Sequence, residues 1–234
     1  MTYQIAIDGP TASGKGTVAR KLARKFGFLC LDTGALYRGI TLFFLDHEID
    51  FNDPVSYSRA LQEIDLQPKC IEGETLVFLN GENVTKRIRD NIVSINVPKL
   101  AKKPEVREKV RQIQKLVGEN NNLVCEGRDT TSVVFPKARF KFYLTASVNA
   151  RAERRLLDLQ SKGENVSIET LREQIAERDL LDTTREESPL VKVADAIVVD
   201  ATKINAYQVG KKLEKIITRE LVKTPPSGDT SEAV

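Results

Sequence analysis

Apolar residues in this chain gather in short, almost unbroken runs at 3–7 (YQIAI), 122–127 (NLVCEG), 139–146 (RFKFYLTA) and 195–200 (DAIVVD), with a weaker one at 28–32 (FLCLD). Short runs without polar alternation are the pattern of strands covered on both faces, as in a parallel sheet. Between them the apolar spacing changes to three and four. Over 17–26, Val18, Leu22 and Phe26 share a face from which Arg20, Lys21, Arg24 and Lys25 mostly turn away, which predicts an amphipathic helix. A strongly charged helix is expected over 149–160, stopped by Gly163. Ser167 reads as the N-cap of another, with Ile168, Leu171 and Ile175 as its stripe. A last helix over about 204–221 carries Val209, Leu213 and Ile216 or Ile217. Strands alternating with helices predict an α/β fold, a parallel five-stranded sheet flanked by helices on both faces.

Residues from about 53 to 100 break that rhythm. LVFLNGENVTKRI places Asn-Gly between two strand-like pieces, a strong hairpin signal. An inserted, partly antiparallel β subdomain is expected there. The end of the chain, KTPPSGDTSEAV, is polar and has no apolar period, which predicts a disordered tail over 222–234. A single domain over 1–221 is then expected, its core formed by 1–52, 101–151 and 189–221.

Composition adds mainly exclusions. With 234 residues, 41% apolar and 29% charged, the chain can bury a full core. A net charge of +3 suits an anionic small molecule but lacks the dense basic stripe of a nucleic-acid binder. Cys30, Cys70 and Cys125 are scattered without C-x-x-C, so no zinc or disulfide framework is expected and a reducing cytoplasm fits. The opening MTYQIAIDG predicts neither a secretory leader nor a membrane span. The lone histidine, His47 in DHEID, reads as a surface residue, which argues against Ser-His or histidine-metal chemistry.

The most informative stretch is Gly9-Pro10-Thr11-Ala12-Ser13-Gly14-Lys15-Gly16-Thr17, which matches G-x-x-x-x-G-K between an apolar strand and a helix. Such a loop curls its N–H groups around phosphate oxygens, and the helix that follows adds its positive end. Lys15 would supply a point charge to the β- and γ-phosphates of a nucleoside triphosphate. A hydroxyl normally follows the lysine directly to hold magnesium, but here Gly16 intervenes and Thr17 carries it. Magnesium is expected without assigned protein ligands.

Phosphoryl transfer between two polyanions needs further cations, and arginine binds phosphate oxygens two at a time. LDTGALYR places Thr33, Tyr37 and Arg38 after the second strand, where ligand loops lie in such sheets. EGRD places Arg128 and Asp129 after the third. Arg178, Asp182 and Arg185 fall at i, i+4 and i+7 of one helix, and Arg151, Arg154 and Arg155 crowd another. Taken alone, these are also what solvated helix faces look like.

IDGPTASGKGT, LDTGALYR, VREKV, EGRD with SVVFP, ARAERRLLDLQSKG and AERDLLDTTREESPL with ADAIVVD, in this order and spacing, resemble bacterial cytidylate kinases. These are nucleoside monophosphate kinases of the P-loop class, and the resemblance runs to about residue 221. It implies ATP-dependent phosphorylation of CMP and dCMP to the diphosphates by direct in-line transfer. It implies an NMP-binding role for the 53–100 insert and a short helical lid over about 152–188. Gly9 to Thr17, with Arg154 and Arg155 from the lid, would hold ATP. Thr33, Tyr37, Arg38, Arg107, Arg128 and Asp129 would line the CMP site, joined from the lid by Arg178, Asp182 and Arg185. Lys15, Arg128, Arg178 and Arg185 would carry the catalysis. The expected enzyme is a cytoplasmic monomer whose partners are CMP, dCMP and ATP, with no nucleic acid or membrane. Two positions depart from the family pattern: Thr131 replaces a glycine, and Pro98 replaces a serine that reaches the cytosine. A broader UMP/CMP kinase, another P-loop small-molecule kinase and a nucleotide-binding regulatory protein are the alternatives.

Overall fold

The computed structural model describes residues 2–161 and 163–223. Its centre is a parallel sheet of five strands, β1 (Gln4–Asp8), β2 (Leu29–Asp32), β6 (Leu123–Gly127), β7 (Phe140–Thr145) and β8 (Ile197–Asp200). Their spatial order is β2-β6-β1-β7-β8. The strand carrying the phosphate-loop motif is thus central, and Asp8 stands level with Gly127 on one side and Tyr143 on the other. Central position explains why Ile5, Ala6 and Ile7 have no exposure at all. The last strand departs from the expectation of full burial. β8 closes the sheet edge, and only its Val199 is buried, with Ile197 and Val198 exposed.

The predicted helices appear as α1 (Lys15–Phe26), α6 (Val148–Gln160), α7 (Ile168–Thr184) and α8 (Ala206–Lys223). Ser167 caps α7 as expected, its hydroxyl accepting from the Thr170 N–H at 3.1 Å. Helix α8 extends to Lys223, two residues into the segment predicted as tail. The rest of that segment, 224–234, lies outside the described residues.

Four further helices have no counterpart in the sequence reading: α2 (Thr33–Asp46), α3 (Pro54–Glu63), α4 (Asn91–Ala101) and α5 (Pro104–Glu119). Helix α2 is buried over most of its circumference, from Thr33 through Phe44, so it lacks the polar face that makes a helix visible in sequence. Helix α4 carries Pro98 in its interior, a residue that removes an N–H and argues against helix.

The segment from 53 to 100 holds an antiparallel three-stranded sheet, β3 (Leu66–Ile71), β4 (Glu74–Leu79) and β5 (Glu82–Asn83). Asn80 and Gly81, at φ 48° and 85°, form the Asn-Gly turn that joins β4 to β5. Leu66, Val77, Val84 and Ile88 of this segment join Leu31, Leu36 and Ile40 in one apolar core. A second core lies where α1 and α8 pack on the sheet, built on Ile7, Leu22, Phe142 and Leu213.

Candidate active site

The loop between β1 and α1 is shaped by two glycines. A Cβ on Gly9 would stand 1.9 Å from the Leu144 carbonyl oxygen, so only glycine lets the loop leave the sheet between β1 and β7. Gly14 takes φ 92° as the N-cap of α1, a conformation that L side chains rarely adopt. The helix therefore begins at Lys15, two residues before the sequence suggested. Lys15 is 5% exposed, and its Nζ donates to the Pro10 carbonyl at 2.8 Å and to Ser13 Oγ at 3.4 Å. Burial, then the charge of Arg128, pushes its ammonium down to about 7.

A cavity of about 380 Å³ opens in front of this loop. Ala12 through Thr17 line it from the donor side, and Thr33, Tyr37, Arg38, Arg107, Arg128 and Asp129 from the other. Arg155, Arg178 and Arg185 reach it from the α6–α7 region. Residues that had been spread over 170 positions of sequence are thus brought together. Gly9, Pro10 and Thr11 belong to the same loop but do not line the cavity. Arg154 is not brought to the cavity. Its guanidinium donates to the carbonyls of Ala201 and Ile204, the latter at 3.2 Å. Its neighbour Arg151 is not a solvated residue either. It is 4% exposed, donates to the Ala146 carbonyl at 2.9 Å and the Thr11 carbonyl at 3.2 Å, and pairs with Asp179 at 2.6 Å.

The arginines on the acceptor side are organised by three aspartates. Asp32 caps α2 by accepting from the Ala35 N–H and pairs with Arg38 at 2.8 Å. Burial works against its negative charge, but Arg38 and Arg89 outweigh burial and hold its carboxyl below the usual range. Asp129 accepts from Arg107, and both are almost fully buried. Asp182 is buried at 2% exposure and collects three arginines: Arg128 at 2.8 Å, Arg178 at 3.4 Å and Arg185 at 3.5 Å. The i, i+4 pair of Arg178 and Asp182 is therefore an internal contact, and the Arg128–Asp182 pair beside it ties α7 to the end of β6. Arg38 Nε and Arg107 Nε are buried without a hydrogen-bond partner, a costly state that an incoming anion would relieve.

Several residues at the cavity are not among the site residues expected from sequence, the polar and charged ones being Arg20, Asp32, Arg89, Ser94 and Glu126. Asp32 and Glu126 each stand at or next to the end of a strand, where ligand loops begin, and that position was the available signal. Burial, then the charge of Asp32, pushes Glu126 up to about 7. Arg89 comes from the insert and carried no motif. Pro98 lies beside Arg178, Asp182 and Arg185. Thr131 is fully buried, and its hydroxyl donates to Asp8 at 2.6 Å.

A glycine-built anion loop at the end of a central parallel strand, facing a wall of arginines, defines a P-loop phosphotransferase. The sequence profile of the cytidylate kinase family matches residues 5–219. The chain is 44% identical over 219 residues to a cytidylate kinase of Carboxydothermus hydrogenoformans, covering 93% of this chain and 98% of that one. With cytidylate kinases of Bacillus licheniformis and Acholeplasma laidlawii it shares 42% and 40%, over 94% and 92% of its length and 97% and 95% of theirs. This chain belongs to the cytidylate kinase family. Its fold is also similar to that of solved structures, among them TT1252 from Thermus thermophilus, with a TM-score of 0.51 at 20% identity over 94% of this chain and 98% of that one.

Proposed function

We propose that this protein phosphorylates CMP and dCMP at the expense of ATP by direct in-line transfer. An oxygen of the CMP phosphate attacks the γ-phosphorus, the bond to the β–γ bridging oxygen breaks, and ADP leaves. Among the described residues no histidine or cysteine lines the cavity, so catalysis rests on positioning and charge. The observation that carries this reading is the opposition of two anion sites across one cavity: Lys15 and the loop N–H groups on one side, Arg38, Arg107 and Arg128 on the other.

In this reading Lys15 neutralises charge that develops on the β- and γ-oxygens. Arg38 and Arg128 exchange their aspartate partners for the acceptor phosphate, with Arg178 and Arg185 closing from the α7 side. Pro98 has no hydrogen-bonding side chain, so the base is read by the Arg107–Asp129 pair, whose carboxylate can accept from the cytosine amino group that uracil lacks. Among the described residues no group of three or more His, Cys, Asp or Glu could hold a metal, so a resident protein-held ion does not fit. Magnesium arriving on the ATP phosphates does fit, with Thr17 and Glu126 as the side chains at hand; bound there, it would offset phosphate charge. Residues 152–188 act as the lid, and the 53–100 insert receives the nucleotide.

Initial rates of ADP formation with CMP, dCMP, UMP and AMP at equal concentration test the reading. Fast turnover with CMP and dCMP and slow turnover with the others is expected. Equal rates with UMP would replace it by a general pyrimidine nucleotide kinase. Turnover with none would remove the acceptor assignment.

A further inference from the structure

A fully enclosed carboxylate lies beneath the boundary between the donor and acceptor sides of the site. Asp8 ends β1 with no exposure, and among the described residues it has no ion pair with a cation. Its charge is met instead by four hydrogen bonds from two consecutive residues. One oxygen accepts from Thr130 N–H at 2.9 Å and Thr130 Oγ1 at 2.7 Å. The other accepts from Thr131 N–H at 2.7 Å and Thr131 Oγ1 at 2.6 Å. Both threonines are buried completely or nearly so.

The location gives these bonds a consequence. Asp8 is followed directly by Gly9, which opens the donor loop, and the threonines directly follow Arg128 and Asp129 of the acceptor side. Thr130–Val134 is a single wide helical turn, closed by the Phe135 N–H on the Thr130 carbonyl at 2.8 Å and the Val134 N–H on the Asp129 carbonyl at 3.1 Å. Such turns are tolerated where neighbouring structure holds them, and their first N–H groups lack a partner within the turn. Asp8 supplies that partner, and the two hydroxyls complete its coordination. A buried carboxylate with this set of donors resists rotation, because each lost bond leaves an unpaired charge-bearing lone pair in a dry interior.

We propose that Asp8, Thr130 and Thr131 form a positioning clamp that fixes the separation of the donor loop from Arg128 and Asp129, and so the alignment of the two phosphates. None of the three touches substrate. The inference rests on the reading of the cavity as a two-nucleotide site. A displacement of about 1 Å between reacting groups lowers a rate about a hundredfold, so loosening the clamp would affect transfer far more than the binding of either nucleotide alone.

The test uses Thr130→Val, Thr131→Val and the double variant, with Thr131→Ser as the conservative control, all measured per folded molecule. Each is titrated by calorimetry with ATP alone, CMP alone, and a bisubstrate analogue in which adenosine and cytidine are joined by a polyphosphate chain. Expected for the valine variants are affinities for each single nucleotide within about twofold of wild type, a loss of about tenfold or more for the bisubstrate, and a parallel loss in kcat without change in either KM. Thr131→Ser should behave as wild type. If the double variant does not fold, the single variants carry the same comparison. Equal losses for single nucleotides and bisubstrate, or no loss of bisubstrate affinity, would overturn the clamp. A wild-type protein that fails to bind the bisubstrate while binding ATP would instead count against the two-nucleotide reading itself.

Discussion

The two sides of the cavity are built by different means. On the donor side the cavity is lined by one continuous segment, Ala12 to Thr17, whose contribution in the proposed reading is largely main chain, with Lys15 as its only cation. On the acceptor side the cavity is lined by side chains from β2, α2, α5, α7 and the residues after β6, with Arg107 and Arg128 held by aspartates from distant parts of the chain and Arg38 by the cap of its own helix. A backbone site is rigid without a partner and is specified by local sequence. A side-chain site of paired charges is specified only by the fold, and its arginines are held in place until a phosphate competes for them.

The sharpest way to break this comparison is to remove the phosphate loop's single charge. Lys15→Met should leave the loop backbone and the fold intact, because the glycines and α1 define them. Loss of one preorganised donor to a developing charge lowers kcat by about 10²–10³-fold. Stopped-flow or coupled assays would detect this, and a variant within tenfold of wild type would show that the loop N–H groups suffice without the lysine.

A smaller effect is expected from Arg38→Ala. It removes one of several acceptor cations and leaves Asp32 with Arg89 as its remaining cation. Charge-assisted hydrogen bonds contribute about 1.5–3 kcal/mol, so the KM for CMP should rise about tenfold or more while the KM for ATP stays unchanged. An equal rise in both constants would mean that the two sides are not separable in the way the geometry suggests.

The same contrast explains what sequence could reveal. The five strands, α1, the Ser167 cap and the phosphate loop were legible because each depends on neighbours within about fifteen residues. Lys15, Gly9 and Gly14 stand out from their spacing and from the strand and helix that flank them. The buried state of Asp182 was not legible, since Arg178-x-x-x-Asp182 has the same spacing whether it faces water or Arg128. Arg151 and Arg154, one turn apart in a charged helix, donate to the distant carbonyls of Thr11, Ala201 and Ile204, which no periodicity announces. Glu126 was visible in its motif but not in its environment: only the fold places it between Asp32 and Lys15. Helix α2 escaped because contact on nearly all sides erased its polar face, and α4 because Pro98 contradicts it locally.

The smallest predicted effect probes how the two sides communicate through protons. Burial and then the charge of Arg128 push Lys15 down to about 7, which favours its neutral form as the pH rises above that value. The phosphates of ATP favour the ammonium form and raise that value. Between the two values the protein must therefore take up a proton as ATP binds. Glu126, pushed up to about 7, responds in the same direction to the anion alone and in the opposite direction to Mg²⁺ beside it. Calorimetry of ATP binding at pH 8 in buffers of different ionisation enthalpy should thus report net proton uptake without metal and less of it with Mg²⁺. Lys15→Arg, charged in both states, should lose most of the metal-free uptake, and Glu126→Gln should lose its dependence on Mg²⁺. Uptake that survives in Lys15→Arg would assign the proton to the carboxylate and leave the donor loop already charged before its ligand arrives.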